Sequence, residues 1–243
     1  MLPLGDEGTP PSRGFPIVNI AIIVICVLVF LVQLVFGTDV SVMAYGAIPY
    51  EITHGVDLGP NCPISLCQGL PEQLISYPVY VTLLTSIFMH ASWVHIGGNM
   101  LFLFIFGDNV EDAFGHLGYA AFYLVCGMAA NFAQIFVDQS SPIPGIGASG
   151  AIAGVLAAYL VMFPQARVRV LAGFYGIIRL PALVVLGFWF LIQLVSGIGD
   201  VVSVPTTGSG GGTAYWAHIG GFVAGLILVF LFRKRNSGQG SVV

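Results

Sequence analysis

Apolar residues run along this chain in six long blocks, and the polar residues between them gather in loops rich in Gly and Pro. A helix of about 17–25 mostly apolar residues is long enough to cross the hydrocarbon core of a bilayer. The pattern therefore predicts an all-α membrane protein built as a bundle of six transmembrane helices. The predicted spans cover residues 17–36, 92–106, 118–137, 149–163, 180–197 and 215–232.

The segments outside these blocks divide the chain further. Residues 37–77 form a long polar loop between the first two spans, and we expect this first loop to contain short helices of its own. The predicted organisation is an N-terminal tail over residues 1–16, a six-span domain over 17–232 and a C-terminal tail over 233–243. The N-terminal segment has neither the basic region nor the cleavage site of a signal peptide.

Composition supports the same class of protein. The chain is 57% hydrophobic and only 7% charged, with a mean hydropathy of +0.94. Soluble domains carry about 25% charged residues, so this chain cannot cover a water-facing surface. We predict an integral, multi-pass protein whose main partner is the lipid bilayer, with no nucleic-acid partner.

The positive charges predict the orientation of the bundle. Six spans place all seven basic residues on one side: Arg13, Arg167, Arg169, Arg179, Arg233, Lys234 and Arg235. Because Lys and Arg concentrate in cytoplasmic loops, both tails are predicted to be cytoplasmic.

Ser149 is the first candidate for chemistry, within the run Gly147-Ala148-Ser149-Gly150. An irregular loop rich in Pro and Gly precedes it, so the serine is predicted to begin the fourth span. Free N–H groups at a helix N-terminus favour negative charge, which suits an oxyanion. The alternative is a small-residue packing face, which is common in membrane bundles.

His218 is predicted to share the depth of Ser149 in the membrane. Ser149 lies 15 residues before Pro164 and His218 lies 15 residues before Arg233. At about 1.5 Å per residue, both would sit roughly 22 Å from the inner boundary. Gly221 and Gly225 form a small-residue face that would let the sixth span approach the fourth closely.

The second span supplies further polar groups. His95 and Asn99 are four residues apart, so they share a helix face and could donate hydrogen bonds to an oxyanion near Ser149. For His90 we favour a supporting position at the interface. The alternative for Asn99 is a simple tie between helices.

Several other chemistries are disfavoured. No Asp or Glu lies inside a predicted span, which excludes an intramembrane aspartyl protease, and no His-Glu-x-x-His run is present for zinc. We therefore expect no metal and no cofactor. Without a carboxylate, His218 would have to be oriented by packing or by water.

The four cysteines give two predictions. Cys26 and Cys126 lie in apolar segments and should pack as small hydrophobic side chains. Cys62 and Cys67 lie in the first loop, where a disulfide and two free thiols are both open.

Together these motifs resemble the rhomboid family of intramembrane serine proteases. The matching residues are His90, His95 and Asn99, the Gly147–Gly150 run, and Ala217-His218 with Gly221 and Gly225, in order on spans two, four and six. The resemblance implies Ser149 as nucleophile and His218 as general base. It implies His95, Asn99 and the backbone N–H of Ser149 as oxyanion donors, and a bacterial plasma membrane as the location.

The chain departs from the family at two places. Many rhomboids carry Trp-Arg in the first loop, where this chain has Val81-Thr82. Some bacterial members have a Tyr that stacks on the base, where this chain has Ala153. These departures concern how the first loop is anchored and how His218 is held.

The predicted function is cleavage of single-span membrane proteins by a Ser–His dyad near the extracytoplasmic face. Two alternatives remain open: a six-span transporter, and a rhomboid-like protein that binds membrane helices without cutting them. The aromatic run Phe188-Trp189-Phe190 on span five is a candidate lateral gate for substrates.

Overall fold

The computed structural model of the chain describes residues 2–7, 14–58, 78–173, 176–202 and 214–232. The helices are α1 (Ile17–Phe36), α2 (Thr38–Tyr45), α3 (Pro49–His54), α4 (Thr82–Thr85), α5 (Trp93–Phe114), α6 (His116–Val137), α7 (Ser149–Met162), α8 (Ala182–Val202) and α9 (Tyr215–Phe232). Two short 3₁₀ helices, Val79–Val81 and Ser86–Phe88, flank α4, and the strands are β1 (Leu2–Asp6), β2 (Arg167–Leu171) and β3 (Ile177–Pro181).

The predicted helical membrane bundle is confirmed, and the bounds of several spans agree closely with the apolar blocks. In the described part of the chain, four helices are long and apolar enough to cross a membrane: α1, α6, α8 and α9. A fifth span results when residues 79–88 are joined to α5, across a bend of 75°. The count of six spans stays a prediction, because α7 is shorter than a full crossing.

The short helix α7 lies at the centre of the bundle. Its 14 residues extend about 21 Å at 1.5 Å per residue, less than the ~30 Å of a bilayer core. Every residue from Gly150 to Tyr159 is buried. Helix α9 packs most extensively on α6 and α7, and α5 packs on α7 as well. Other helices therefore surround α7, and its first residue lies within the bundle.

Helix α5 is longer than the predicted second span, and its additional residues include acids. The helix continues past residue 106 through Asp108, Glu111 and Asp112 and ends at Gly115, where φ is +76°. The acids are tolerated because they have partners. The Glu111 carboxylate accepts the backbone N–H groups of Val18 and Asn19 at the start of α1, at 2.9 and 2.7 Å.

A small sheet is an addition that the helical pattern did not predict. Strand β1 pairs antiparallel with β2, and β2 pairs antiparallel with β3. Part of the expected N-terminal tail is thus an ordered strand. Val168 and Val170 point into the core, while Arg167 and Arg169 are exposed. The sheet puts the N-terminal segment and the hairpin between α7 and α8 at one end of the bundle, in agreement with the grouping of the basic residues.

The first loop contains the expected short helices, α2 and α3, in its described part. Ala47 and Gly145 exchange two backbone hydrogen bonds of 2.9 and 2.8 Å. The N–H of Tyr50 also donates to the carbonyl of Ser141. These bonds attach the loop to the segment that leads into α7, and so they help to set the position of Ser149.

The predictions for the cysteines have separate outcomes. Cys26 and Cys126 are free and completely buried, as expected of small core side chains. Cys62 and Cys67 lie outside the described residues, as does the predicted C-terminal tail over 233–243.

Candidate active site

Ser149 and His218 come together at one end of the bundle. Ser149 is the first residue of α7, and His218 lies in the first turn of α9. The His218 Nε2 atom lies 2.7 Å from Ser149 Oγ, within hydrogen-bond distance. His218 is buried, with 8% of its surface exposed. The two residues that the sequence placed at equal depth therefore form a contact.

Glycines make this contact possible because they let α9 approach α7 closely. A Cβ atom on Gly221 would overlap the carbonyl oxygen of Gly150, and one on Gly225 would lie 2.5 Å from the carbonyl oxygen of Gly154. Gly150 is equally restricted, because its Cβ would collide with Ala130 on α6. Larger side chains at these positions would separate the helices and the two candidate side chains.

Gly147 shapes the turn into α7. Its φ is +124°, a conformation that residues with a Cβ rarely adopt. A Cβ at this position would also lie 2.8 Å from the His95 Nε2 atom and 3.6 Å from Ser149 Oγ. The N–H of Gly147 donates to the carbonyl of Ser86 at 2.9 Å. Because Gly147 has no side chain, a space remains beside it that His95 and Ser149 both border.

His95 is held as a hydrogen-bond donor. Its Nδ1 atom accepts the backbone N–H of Ala91 at 3.4 Å. A neutral imidazole with an accepting Nδ1 carries its proton on Nε2, so the nitrogen next to Gly147 is a donor. Ser92 caps the helix by accepting the N–H of His95 at 3.2 Å. Capping fixes the first turn of α5 and with it the direction of the ring.

Asn99 lies one helical turn beyond His95 on the same face of α5. Its Nδ2 atom is buried and has no hydrogen-bond partner among the described residues. An unsatisfied buried donor is unfavourable and is rare in folded proteins. Such a donor is suited to an oxygen that arrives with a substrate, and it argues against the alternative that Asn99 only ties helices together.

His90 is fully buried within the protein, and its expected position at the membrane interface stays a prediction. Its ring packs edge-on against His95, with centroids 5.1 Å apart. Its backbone N–H and carbonyl both pair with the side-chain amide of Gln33 on α1, at 3.1 and 3.2 Å. His90 therefore supports the ring of His95 and joins α1 to the turn before α5.

Gln193 is the residue that sequence reasoning missed. It lies on α8, is 8% exposed, and its Oε1 atom is 2.7 Å from His218 Nδ1. The fold therefore gives His218 Nδ1 a polar partner, which the sequence analysis had not identified. A signal was present in the sequence, since a buried amide within an apolar span needs a partner.

One residue of the aromatic run on α8 packs beside the same histidine. Trp189 lies one turn before Gln193, with its ring centroid 5.8 Å from that of His218. Phe190 stacks on Phe222 of α9 at 4.1 Å, while Phe188 is half exposed on the outer surface. Ala153, where some relatives have a stacking Tyr, is buried in the cluster that contains Trp189 and Phe222. Trp189 thus supplies an aromatic neighbour that Ala153 cannot.

The loop departure at Val81-Thr82 leaves other anchors in place. Thr85 donates its hydroxyl to the carbonyl of Tyr45 at 2.7 Å, which fastens α4 to the first loop. Asn131 on α6 donates to the carbonyl of Leu83 and to the hydroxyl of Ser86. Polar contacts to the backbone therefore hold this region without the Trp-Arg pair.

The assembled groups have the composition of a serine hydrolase site. A hydroxyl contacts one imidazole nitrogen of His218, an amide contacts the other, and His95 Nε2 borders the same space as the hydroxyl. Within the described residues, no group of three His, Cys, Asp or Glu side chains is placed to hold a metal ion.

Comparison with known proteins agrees with this arrangement. The family model described as "Rhomboid domain" matches residues 78–235, well over half of the chain. The match includes His95, Asn99, Ser149, Gln193 and His218. The chain belongs to the rhomboid family.

Curated relatives come from plants, yeast and mammals. Rhomboid-like protein 11, chloroplastic, of Arabidopsis thaliana is 28% identical over 68% of this chain and 56% of its own length. Rhomboid protein 1, mitochondrial, of Saccharomyces cerevisiae is 25% identical over 65% of this chain and 44% of its own length. The human presenilin-associated rhomboid-like protein, mitochondrial, is 30% identical over 59% and 36%. The chain thus spans about half or less of these relatives, and their eukaryotic origin gives no support to a bacterial plasma membrane.

Proposed function

We propose that this rhomboid is an intramembrane serine endopeptidase with Ser149 as nucleophile and His218 as general base. The observation that carries the proposal is the 2.7 Å contact between Ser149 Oγ and His218 Nε2 at the N-terminus of a buried helix. Family membership supports an intramembrane protease in general terms. The assignment of roles to single residues rests on this geometry and on the chemistry of the groups.

The first step is acylation. Ser149 Oγ attacks a peptide carbonyl of the substrate while its proton passes to His218 Nε2. The resulting oxyanion accepts hydrogen bonds from His95 Nε2, Asn99 Nδ2 and the backbone N–H of Ser149. His218 then gives its proton to the leaving amine, and the C–N bond breaks.

The second step is hydrolysis. A water molecule, deprotonated by His218, attacks the acyl ester and regenerates the Ser149 hydroxyl, with release of a carboxylic acid. No cofactor enters either step. Polar, irregular backbone at membrane depth is tolerated where it lines a wet cavity, and the loop before Ser149 suits that role.

The proposed substrates are single-span membrane proteins. A peptide bond inside a helix is shielded by its own hydrogen bonds, so the segment that is cut must unwind. Substrates with small or helix-breaking residues near the face that bears Ser149 should therefore be favoured. With both tails cytoplasmic, that face is the extracytoplasmic one.

The test is cleavage of a single-span substrate by the protein reconstituted in vesicles. Wild type should cut, and Ser149→Ala and His218→Ala should not. Ser140→Ala, an exposed hydroxyl in the same loop, is the matched control and should behave as wild type. A serine-directed fluorophosphonate should label wild type and the control but not Ser149→Ala.

Two outcomes would reject the proposal. Binding of the substrate without cleavage by wild type would identify a helix-binding protein. Cleavage that persists in both the Ser149 and the His218 variants would show that the bond is cut elsewhere. A transporter would give no cleavage, and its transport would survive Ser149→Ala.

A further inference from the structure

Gln193 makes the contact to His218 that is opposite to Ser149. The Oε1 atom of Gln193 and the Oγ atom of Ser149 each lie 2.7 Å from one of the two ring nitrogens. The three residues come from three helices, α8, α9 and α7. The imidazole is therefore held between a neutral amide and a hydroxyl, and both of its nitrogens have partners.

We propose that Gln193 is a positioning residue that fixes the tautomer and the ring orientation of His218. The inference rests on the proposed function, in which His218 is the general base. An amide oxygen only accepts hydrogen bonds, so Nδ1 must carry the proton of the neutral ring. The lone pair of Nε2 then faces the Ser149 hydroxyl, as a general base requires.

The neutral amide is suited to this depth. A carboxylate inside a membrane bundle carries a large desolvation cost, whereas an amide offers an acceptor without a charge. Gln193 therefore orients the ring but gives the imidazolium none of the charge stabilisation that the acid of a triad provides. Trp189, four residues earlier on the same face of α8, limits rotation of the ring by packing beside it.

A purely structural tie between α8 and α9 would use the same hydrogen bond. The two roles differ in the effects of removing that bond. Loss of a structural tie affects folding and nothing specific to the ring. Loss of a positioning contact also changes which ring nitrogen carries the proton, and it lowers kcat without a matching change in KM.

The first experiment measures the tautomer directly. The ¹⁵N shifts of labelled histidine, with the His218 signal identified by its loss in His218→Ala, should show a protonated Nδ1 in wild type. Gln193→Met removes the acceptor and should produce a mixture of tautomers. Gln134→Met is the matched control, because Gln134 accepts the neighbouring Ala217 N–H and does not contact the ring. The control should keep the wild-type tautomer.

The second experiment measures cleavage. Gln193→Met should lower kcat by about 10- to 100-fold at nearly constant KM, by analogy with the range for hydrogen-bond partners that orient metal-ligating histidines. Gln193→Glu restores an acceptor and should recover much of kcat. It should also move the acidic limb of the pH–rate profile to higher pH, since a carboxylate favours the charged imidazolium.

The outcomes separate this inference from the proposed function. A wild-type tautomer in Gln193→Met, or a kcat equal to that of Gln134→Met, would overturn the role of Gln193 while the protease assignment stands. If wild type fails to cleave, the protease assignment fails. The ¹⁵N measurement still decides whether Gln193 sets the proton position on His218.

Discussion

The two ends of helix α5 differ in whether their buried polar side chains have hydrogen-bond partners. At the end near Ser149, the Asn99 Nδ2 donor is buried without a hydrogen-bond partner among the described residues. At the other end, Glu111 accepts two backbone N–H groups of α1 and contacts His116 Nδ1 at 2.5 Å. One end leaves a donor open, and the other pairs its polar groups.

The paired end extends beyond Glu111. Asp6 of β1 accepts the hydroxyl of Tyr159 at 2.5 Å and the side-chain amide of Asn109 at 3.1 Å. Asn19 accepts the Tyr119 hydroxyl and donates to the carbonyl of Leu103. Since a buried hydrogen bond stabilises and an unpaired donor costs free energy, this end contributes stability. The open end costs stability, and under the proposed function a substrate would supply the missing partner.

The largest effect should come from Ser149→Ala at the open end. Removal of the proposed nucleophile should lower kcat by about 10⁴-fold or more, as it does in serine hydrolases. The thermal midpoint in detergent should stay close to wild type, because only one hydrogen bond to His218 is lost. Cleavage and melting measured on the same preparation check this. A large loss of stability would mean that the pair holds the helices together.

Asn99→Ala should separate activity from stability most clearly. Loss of one oxyanion donor typically lowers kcat by about 10²–10³-fold. The variant removes a buried donor that has no partner among the described residues, so the free energy of unfolding should hold or rise. Kinetics and denaturation of the same sample give both values. If stability falls instead, Asn99 has a structural partner in the resting protein.

Glu111→Ala, at the paired end, should lower stability and leave kcat unchanged. It leaves the N–H groups of Val18 and Asn19 unpaired, at about 1–3 kcal/mol each, so unfolding free energy should fall by roughly 3 kcal/mol. Glu111→Gln keeps one acceptor oxygen and should lose less. The folded fraction of either variant should retain wild-type kcat. Reduced kcat in fully folded protein would show that the two ends are coupled.

Tyr159→Phe is a smaller test of the same end. It deletes the hydroxyl that Asp6 accepts and leaves the ring packed against Phe106. The expected loss is about 1–2 kcal/mol, with kcat unchanged, as measured by chemical denaturation and by cleavage. Asp6→Asn should give a similar loss, and an unchanged stability in both variants would mean that β1 contributes little.

Glu51 in α3 is a buried acid of the first loop, outside both ends of α5. Its substitution should have the smallest effect on stability. Burial raises the pKa of Glu51 to about 7. The hydrogen bond from the Leu58 N–H lowers this pKa, and the nearby charge of Asp57 raises it further. Its folded pKa exceeds its unfolded value of 4.5, so the folded state binds more protons between them. Stability should therefore decrease as pH rises from about 4.5 to 7.

Glu51→Gln should remove this pH dependence. At low pH the variant should match wild type, and above pH 7 it should be the more stable of the two, since no charge is buried. Thermal midpoints across this pH range check the prediction. A wild-type slope that survives in the variant would assign the titration to another group.

Elements with a local signal could be predicted from the amino-acid sequence alone. The bounds of α1 and α9 equal the predicted residues 17–36 and 215–232, because uninterrupted apolar runs define a helix in a bilayer. Ser149 was placed at the start of α7 by the Pro and Gly before it. The equal depth of Ser149 and His218 came from counting residues along two straight helices.

Features that depend on contacts between distant residues required the folded structure. The last part of α5 was missed because Glu111 is stabilised by the start of α1, far away in sequence. The sheet was missed because Leu2 pairs with Leu171. The partner of His218 Nδ1 is Gln193 on another helix, and only the packing of α8 against α9 shows which atom the amide contacts. Periodicity and spacing predict elements, but partners of buried polar groups are set by the fold.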